Sequence, residues 1–353
     1  MRTLRLITVG LAVAATTTAA LAAPSTAGKP GTLPSTGTAQ IFMVNPVQSS
    51  GDQSLSDDND ADSPALAAQY TTAQLRNLDG SGTLSGDWVH VKSSTGAPAS
   101  SASNTFLYTR DQDQFEQVMG YFWVNEAQEY LQSLGFRPGG PLRPILARSY
   151  EVRINQYGGD NSFMSPEKDY LRFGKGGVDD AEDAEVIMHE YGHAIHNDQV
   201  PGFGSTVDAG SIGESFGDYF GVSTGLQAAQ RYSWPVRAEQ ACPMDWDATS
   251  YTAAPHCIRR FDTGMTVATR KGRVHADGQI WSQALWEIRQ GYVRLGLGTR
   301  AWDTTLVDSQ FGYAPDTSFA AAARATYETA LARDGRAAAK LVRDRFAARH
   351  ITF

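Results

Sequence analysis

At 353 residues the chain has room for one large catalytic domain built as two lobes, or for two ordinary domains, each with a sizeable core. It carries 30 Lys and Arg against 38 Asp and Glu, a formal charge of -8, and no basic run, which argues against nucleic acid or an anionic membrane surface as the main partner. Its two cysteines are too few, and too far apart, for a thiolate metal site.

Arg2 and Arg5 precede an apolar run from Leu6 to Ala15, and small residues follow up to Ala20-Leu21-Ala22. That pattern predicts a secretory leader over residues 1–22, and the run is well short of the ~20 residues of a spanning helix. Its removal takes the formal charge from -8 to -10 and makes the product extracellular and lipid-free, and a monomer is expected. Residues 23–39, mainly Ser, Thr, Pro, Gly and Ala, read as a flexible tail.

From Gln40 to Tyr108 short apolar runs, "IFMV" and "WVHV" among them, alternate with "LDGSG" and "SSTGAPASSAS", a pattern of brief strands and turns. Helical spacing takes over at Phe115, Val118, Met119, Phe122, Trp123, Tyr130, Leu131 and Leu134, with Gly135 as the stop. "YEVRINQYGGDNSFMS" returns to extended patterning, with "YLRFGKGG" as partner strand. After about Ala181 the chain reads as mostly helical: one long helix carrying "VIMHEYGHAI", capped by Asp180, then helices over 213–225, 278–295, 319–334 and 336–350. The organisation is a strand-rich N-terminal lobe with the central helix (residues 40–200) and a helical C-terminal lobe (residues 201–353). Cys242 and Cys257 flank a turn-rich loop, and in an oxidising compartment they are expected to pair, at a worth of roughly 3 kcal/mol.

Two acidic stretches invite a calcium reading. Asp58, Asp60 and Asp62 alternate as in a calcium loop, but Ser63 stands where the sixth-position glycine is needed and Gln69 where the twelfth-position glutamate is needed, so a solvated turn is expected. Asp179, Asp180, Glu182 and Asp183 are open to two readings, negative charge at a helix start or a structural Ca2+ site.

The chemistry concentrates at His189-Glu190-x-x-His193. On a helix, residues four apart lie on one face, so the two imidazoles can converge on one tetrahedral metal. Glu190 is too far round to be a ligand but is placed to take a proton from a metal-activated water. Glu214 follows His193 by twenty-one residues on the next predicted helix and supplies the third ligand of a two-His, one-Glu site. Asp218, one turn on, can accept the free ring N–H of one of the histidines. The arrangement with a third histidine is excluded by His196 and Gln199, which occupy its required positions, and His196 is left as a helix-surface or supporting residue.

"DAEVIMHEYGHAIHN", "GSIGESFGDYFG" and "VHADGQIWSQALWEIR" resemble the gluzincin metallopeptidases, closest to the fungalysin family and its bacterial relatives and more distantly to the thermolysin family. The likeness runs in order from about Gln40 to the end. It implies an α+β, two-lobed zincin fold around one catalytic Zn2+ bound by His189, His193 and Glu214, with Glu190 as general base and Asp218 as the carboxylate behind a ligand. It further implies that His275 donates a hydrogen bond to the developing oxyanion and that Asn161 pairs with the substrate backbone. Two features depart from the family pattern: Gln279 stands where a glutamate is frequent, and no long pro-segment precedes the catalytic-type sequence.

The expected function is that of a secreted zinc metalloendopeptidase acting on extended peptides or proteins by a zinc-activated water. The competing expectation is a catalytically silent zinc-binding protein of the same fold, against which the free carboxylate of Glu190 argues. Gly192 inside the active helix costs roughly 1 kcal/mol relative to alanine and predicts close packing against a facing element.

Overall fold

The computed structural model describes residues 33–93 and 96–353, so the expected leader and most of the expected tail fall outside the described residues. The chain enters through β1 (Gly37–Phe42), which begins inside the segment read as a tail, then α1 (Pro46–Ser50), α2 (Pro64–Ala67), β2 (Tyr70–Leu75), β3 (Val89–Ser93) and β4 (Thr105–Phe106). These are followed by α3 (Gln114–Leu134), β5 (Tyr150–Ile154), β6 (Phe163–Ser165) and β7 (Tyr170–Arg172). The remainder is helical: α4 (Ala184–Gln199), α5 (Val207–Arg231), α6 (Val274–Arg294), α7 (Thr299–Gln310), α8 (Phe319–Asp334) and α9 (Arg336–Ala348).

Two small sheets result. One has the order β2-β1-β4, with β1 antiparallel to β2 and parallel to β4. The other has the order β3-β5-β7-β6, parallel except for the β6–β7 pair, which leaves β6 as an edge strand. The β5 strand alternates buried Tyr150, Val152 and Ile154 with half-exposed Glu151 and Arg153, the period of two that a sheet covered on one face requires. The expected apolar face of α3 is buried together with much of the rest of the helix, because α3 runs between the sheets, touching β1, β3 and β5, and packs on α4. It stops at Gly135, whose φ of 111° is open to glycine at little cost.

The strand-rich and helical portions share one hydrophobic core, from Ala39 through Trp123 and Ile187 to Trp281 and Phe346. Residues 33–353 accordingly form one compact unit, and the two lobes are halves of a single domain. Among the described residues, no helix is long and apolar enough to cross a membrane.

The acidic run before α4 differs from its sequence reading in one respect. Asp183, not Asp180, is the N-cap, its carboxylate accepting from the Glu185 N–H at 2.9 Å, while residues Asp180–Glu182 form a preceding 3-10 turn. Extended backbone at Asp183 (φ -98°, ψ 115°) is what a cap needs. Glu182 meets the fully buried Arg110 at 3.0 Å, so a carboxylate and a guanidinium enter the core together. The helix read as starting at Gly213 begins at Val207, behind a Thr206 cap that accepts from the Ala209 N–H.

The contact that places the later chemistry is that of α4 with α5. A Cβ on Gly192 would sit 2.9 Å from the Gly217 Cα, and one on Gly217 would sit 2.6 Å from the His189 Nδ1. The two backbones therefore approach as closely as glycine allows, which is the packing expected of Gly192. Replacing Gly217 by alanine gains roughly 1 kcal/mol of helix propensity but overpacks the seam at roughly 1–3 kcal/mol. Gly217→Ala is expected to lower stability by up to about 2 kcal/mol in denaturant unfolding and to displace His189. At Gly225 the added carbon would make only ordinary contact, 3.4 Å from Val44, so Gly225→Ala is the control and should be neutral or stabilising.

Asp179 supplies a second expectation. Burial, reinforced by the charges of Asp60 and Glu182, pushes its carboxyl up to about 8 from an ordinary 3.8. A group with a raised folded-state pKa stabilises fully below its unfolded pKa, and the contribution is lost as pH rises through the folded value. The thermal midpoint should therefore fall between about pH 4 and about pH 8 and level off above that, and fall less steeply in Asp179→Asn; equal slopes in the two proteins would contradict the assignment.

Candidate metal centre

Helical geometry puts His189 and His193 one turn apart on the face of α4 that meets α5, and the glycine seam lets Glu214 reach across. His189 Nε2 lies 3.1 Å from His193 Nε2, Glu214 Oε2 lies 3.5 Å from the former, and Glu214 Oε1 lies 3.6 Å from the latter. The three residues each present one donor atom within 4.8 Å of the others. Donors on a tetrahedral zinc, each at 2.0–2.2 Å from the ion, stand about 3.3 Å apart, so the spacing fits such an ion. The polar bookkeeping agrees, because Glu214 Oε2 is buried and lacks a hydrogen-bond partner. His189 and His193 cannot both donate along one Nε2–Nε2 line, whereas both can present lone pairs to a cation between them.

His193 is held neutral, because burial pushes its pKa down to about 4. Burial works the same way on His189, but the hydrogen bond to Asp218 and the nearby carboxylate of Glu214 outweigh it and raise the group to about 10. Its proton must leave when a cation binds, so metal and proton compete there. Glu214 is held well below the carboxylate range: burial opposes ionisation, and His189, His193 and Arg259 overcome it.

Asp218 Oδ1 lies 2.8 Å from His189 Nδ1, which fixes the ring so that Nε2 faces Glu214. Arg259, to which no sequence pattern pointed, grips the same carboxylate from Nε at 2.6 Å and Nη2 at 2.5 Å, and stands 4.0 Å from Glu214. Burial disfavours the charged Asp218, but Arg259 and then His189 keep its pKa below the ordinary value. Arg259 lies two residues beyond Cys257, and the Cys242–Cys257 disulfide, with a Cα–Cα separation of 5.1 Å, ties down the loop that brings it in.

Glu190 is buried beside this cluster, with Oε2 free of any hydrogen-bond partner. Burial raises its carboxyl to about 7, with the charge of His189 opposing the shift. A carboxyl in that range can both take up and release a proton near neutrality. The backbone of Met164, on the edge strand β6, donates to it.

His275 sits in the first turn of α6, two-thirds exposed, with Nε2 3.3 Å from Glu214 Oε2. Asn161 is exposed two residues before β6. Both line the two cavities that meet at His189, Glu190 and Glu214, of about 170 and 580 Å3. His196 is not on a helix surface: it is buried between the rings of Phe203 and Phe216, at 4.3 and 4.6 Å, and both ring nitrogens lack partners. Burial therefore keeps it well below the ordinary histidine pKa, as a neutral support for the α4–α5 seam. Gln279 Nε2 donates to the carbonyl of Ala276, next to His275, at 3.4 Å, and its Oε1 accepts the Arg260 N–H at 3.0 Å and so steadies the loop that carries Arg259.

The family model of the fungalysin metallopeptidases (M36) matches residues 73–312, which includes every residue of this centre. Among solved structures, the precursor of protealysin, a metalloproteinase from Serratia proteamaculans, is similar over 75% of this chain and 87% of that one, with 16% identity and a TM-score of 0.52, a likeness of fold alone. No curated protein matches. The chain belongs to the fungalysin metallopeptidase family.

Proposed function

We propose that this protein is a secreted zinc endopeptidase in which His189, His193 and Glu214 hold one zinc ion. The observation that carries the reading is the spacing of those donors at 3.1 to 3.6 Å around a common point, with the unpartnered carboxylate of Glu190 beside them. Bound there, zinc would supply Lewis-acid polarisation of the attacking water and the scissile carbonyl.

The rest of the chemistry falls to the chain. Asp218 accepts the His189 Nδ1 proton and Arg259 keeps Asp218 charged, so the Nε2 lone pair stays aimed at the centre. Glu190 takes a proton from water at Oε2 and returns it to the leaving amine nitrogen, a cycle that its raised pKa favours. His275 donates from Nε2 to the oxygen on which negative charge develops. The substrate lies extended beside β6, the edge strand of its sheet, and Asn161 steadies its main chain. The N-terminal leader pattern and the disulfide support export.

Purified protein is expected to contain one zinc per chain by metal analysis, to cleave casein, and to lose cleavage on chelation. In Glu190→Gln, zinc content should be unchanged while kcat falls about 10²- to 10⁴-fold. Zinc-loaded wild type that cleaves nothing would favour the silent reading. Folded protein without a transition metal would end both.

A further inference from the structure

The smaller of the two cavities has an unusual wall. Asp160, Asp180 and Asp247 each bring a carboxylate oxygen within 4.8 Å of the others, and all three line the space that opens onto Glu190 and Glu214. Asp180 and Asp247 are 2 and 4% exposed. Asp180 is oriented by Ser162 Oγ and the Gly174 N–H, at 2.5 and 3.1 Å, and Asp247 by Tyr251 at 2.9 Å. After those bonds are made, Asp247 Oδ1 is left buried without a partner. A carboxylate oxygen held that way is costly unless a cation or donor enters.

Among the other residues that line the cavity, Val186, Met244 and Ile258 are apolar and lie beside Tyr251 and the polar groups of the metal centre. Arg259 also faces the space, but both of its bonds to Asp218 engage the charge that would repel a cation. The volume, about 170 Å3, is several times the roughly 30 Å3 of a single water, which suits an occupant with a body as well as a charge better than a bare ion. Three apolar side chains beside a cluster of acids match an aliphatic stem that ends in a cation.

We propose that this cavity is a subsite for the lysine or arginine side chain of a residue flanking the cleaved bond, its charged head held among Asp160, Asp180 and Asp247. The inference rests on the peptidase reading above and adds a substrate class to it. Burial and mutual repulsion raise the carboxyls of Asp180 and Asp247, and a cation in the cavity removes that repulsion.

The test uses peptides that carry lysine or its uncharged isostere norleucine on either side of the cleaved bond. Wild-type protein is expected to favour lysine at one of the two positions by about tenfold in kcat/KM. The ratio should fall toward unity in Asp247→Asn. Should that buried variant fail to fold, the exposed Asp160→Asn serves in its place and should lower the ratio as well. The same peptides are also bound to zinc-loaded Glu190→Gln and followed by fluorescence anisotropy, a readout without turnover. Lysine preference in binding with no turnover by wild type would sink the peptidase reading and leave this inference standing. Equal handling of lysine and norleucine in both assays would overturn the inference alone. Millimolar calcium that raises the melting temperature of wild type but not of Asp247→Asn, and abolishes the lysine preference, would assign the cavity to a metal ion and overturn it too.

Discussion

The backbone contact between α4 and α5 is the constraint on which the centre depends. Glu214 belongs to a different helix from His189 and His193, and it meets them only because Gly192 and Gly217 leave no side chain between the two axes. Glycine inside a helix is disfavoured by roughly 1 kcal/mol relative to alanine, and the seam accepts that at both positions. What the close approach allows is a set of donors 3.1 to 3.6 Å apart, joined to the scaffold by rigid helical backbone instead of loops.

Charge is layered around that seam. The Arg259–Asp218–His189 chain runs inward from the disulfide-tied loop, each member setting the protonation of the next. On the other side, Glu190 stands among carboxylates and is raised by its burial, so that two acids on adjacent helices, Glu190 and Glu214, titrate at opposite ends of the acid scale. Environments that separate like groups in this way suit the roles proposed for them, Glu214 as a ligand and Glu190 as a proton carrier.

Much of this was legible in the sequence because it rests on local periodicity. The spacing of Phe115 to Leu134, the Gly135 stop, and the alternation in Tyr150–Ile154 correspond to α3 and β5. The His189, His193, Glu214 and Asp218 offsets are intervals on two helices, so chain distance translates directly into direction. What was not legible depends on partners far along the chain. Nothing in the spacing links Arg259 to Asp218, forty-one positions earlier; only the disulfide loop brings them together. The α7 helix puts Trp302, Leu306 and Val307 into the core, but polar Asp303, Thr304 and Thr305 interrupt that short face in the sequence; Asp303 is buried with them because it accepts from Tyr130, Tyr219 and Ser223 on α3 and α5. His196 has the look of a surface residue until Phe203 and Phe216 close over it. The choice of Asp183 over Asp180 as cap turned on backbone dihedrals that two neighbouring aspartates leave undecided.

The central claim is that one divalent ion is shared by side chains of two helices. The most direct measurement is anomalous X-ray diffraction at the zinc absorption edge from crystals of the zinc-loaded protein. The account predicts a peak about 2.0–2.2 Å from His189 Nε2, His193 Nε2 and a Glu214 carboxylate oxygen together. A peak elsewhere, or one bound by the histidines with Glu214 turned away, would contradict it.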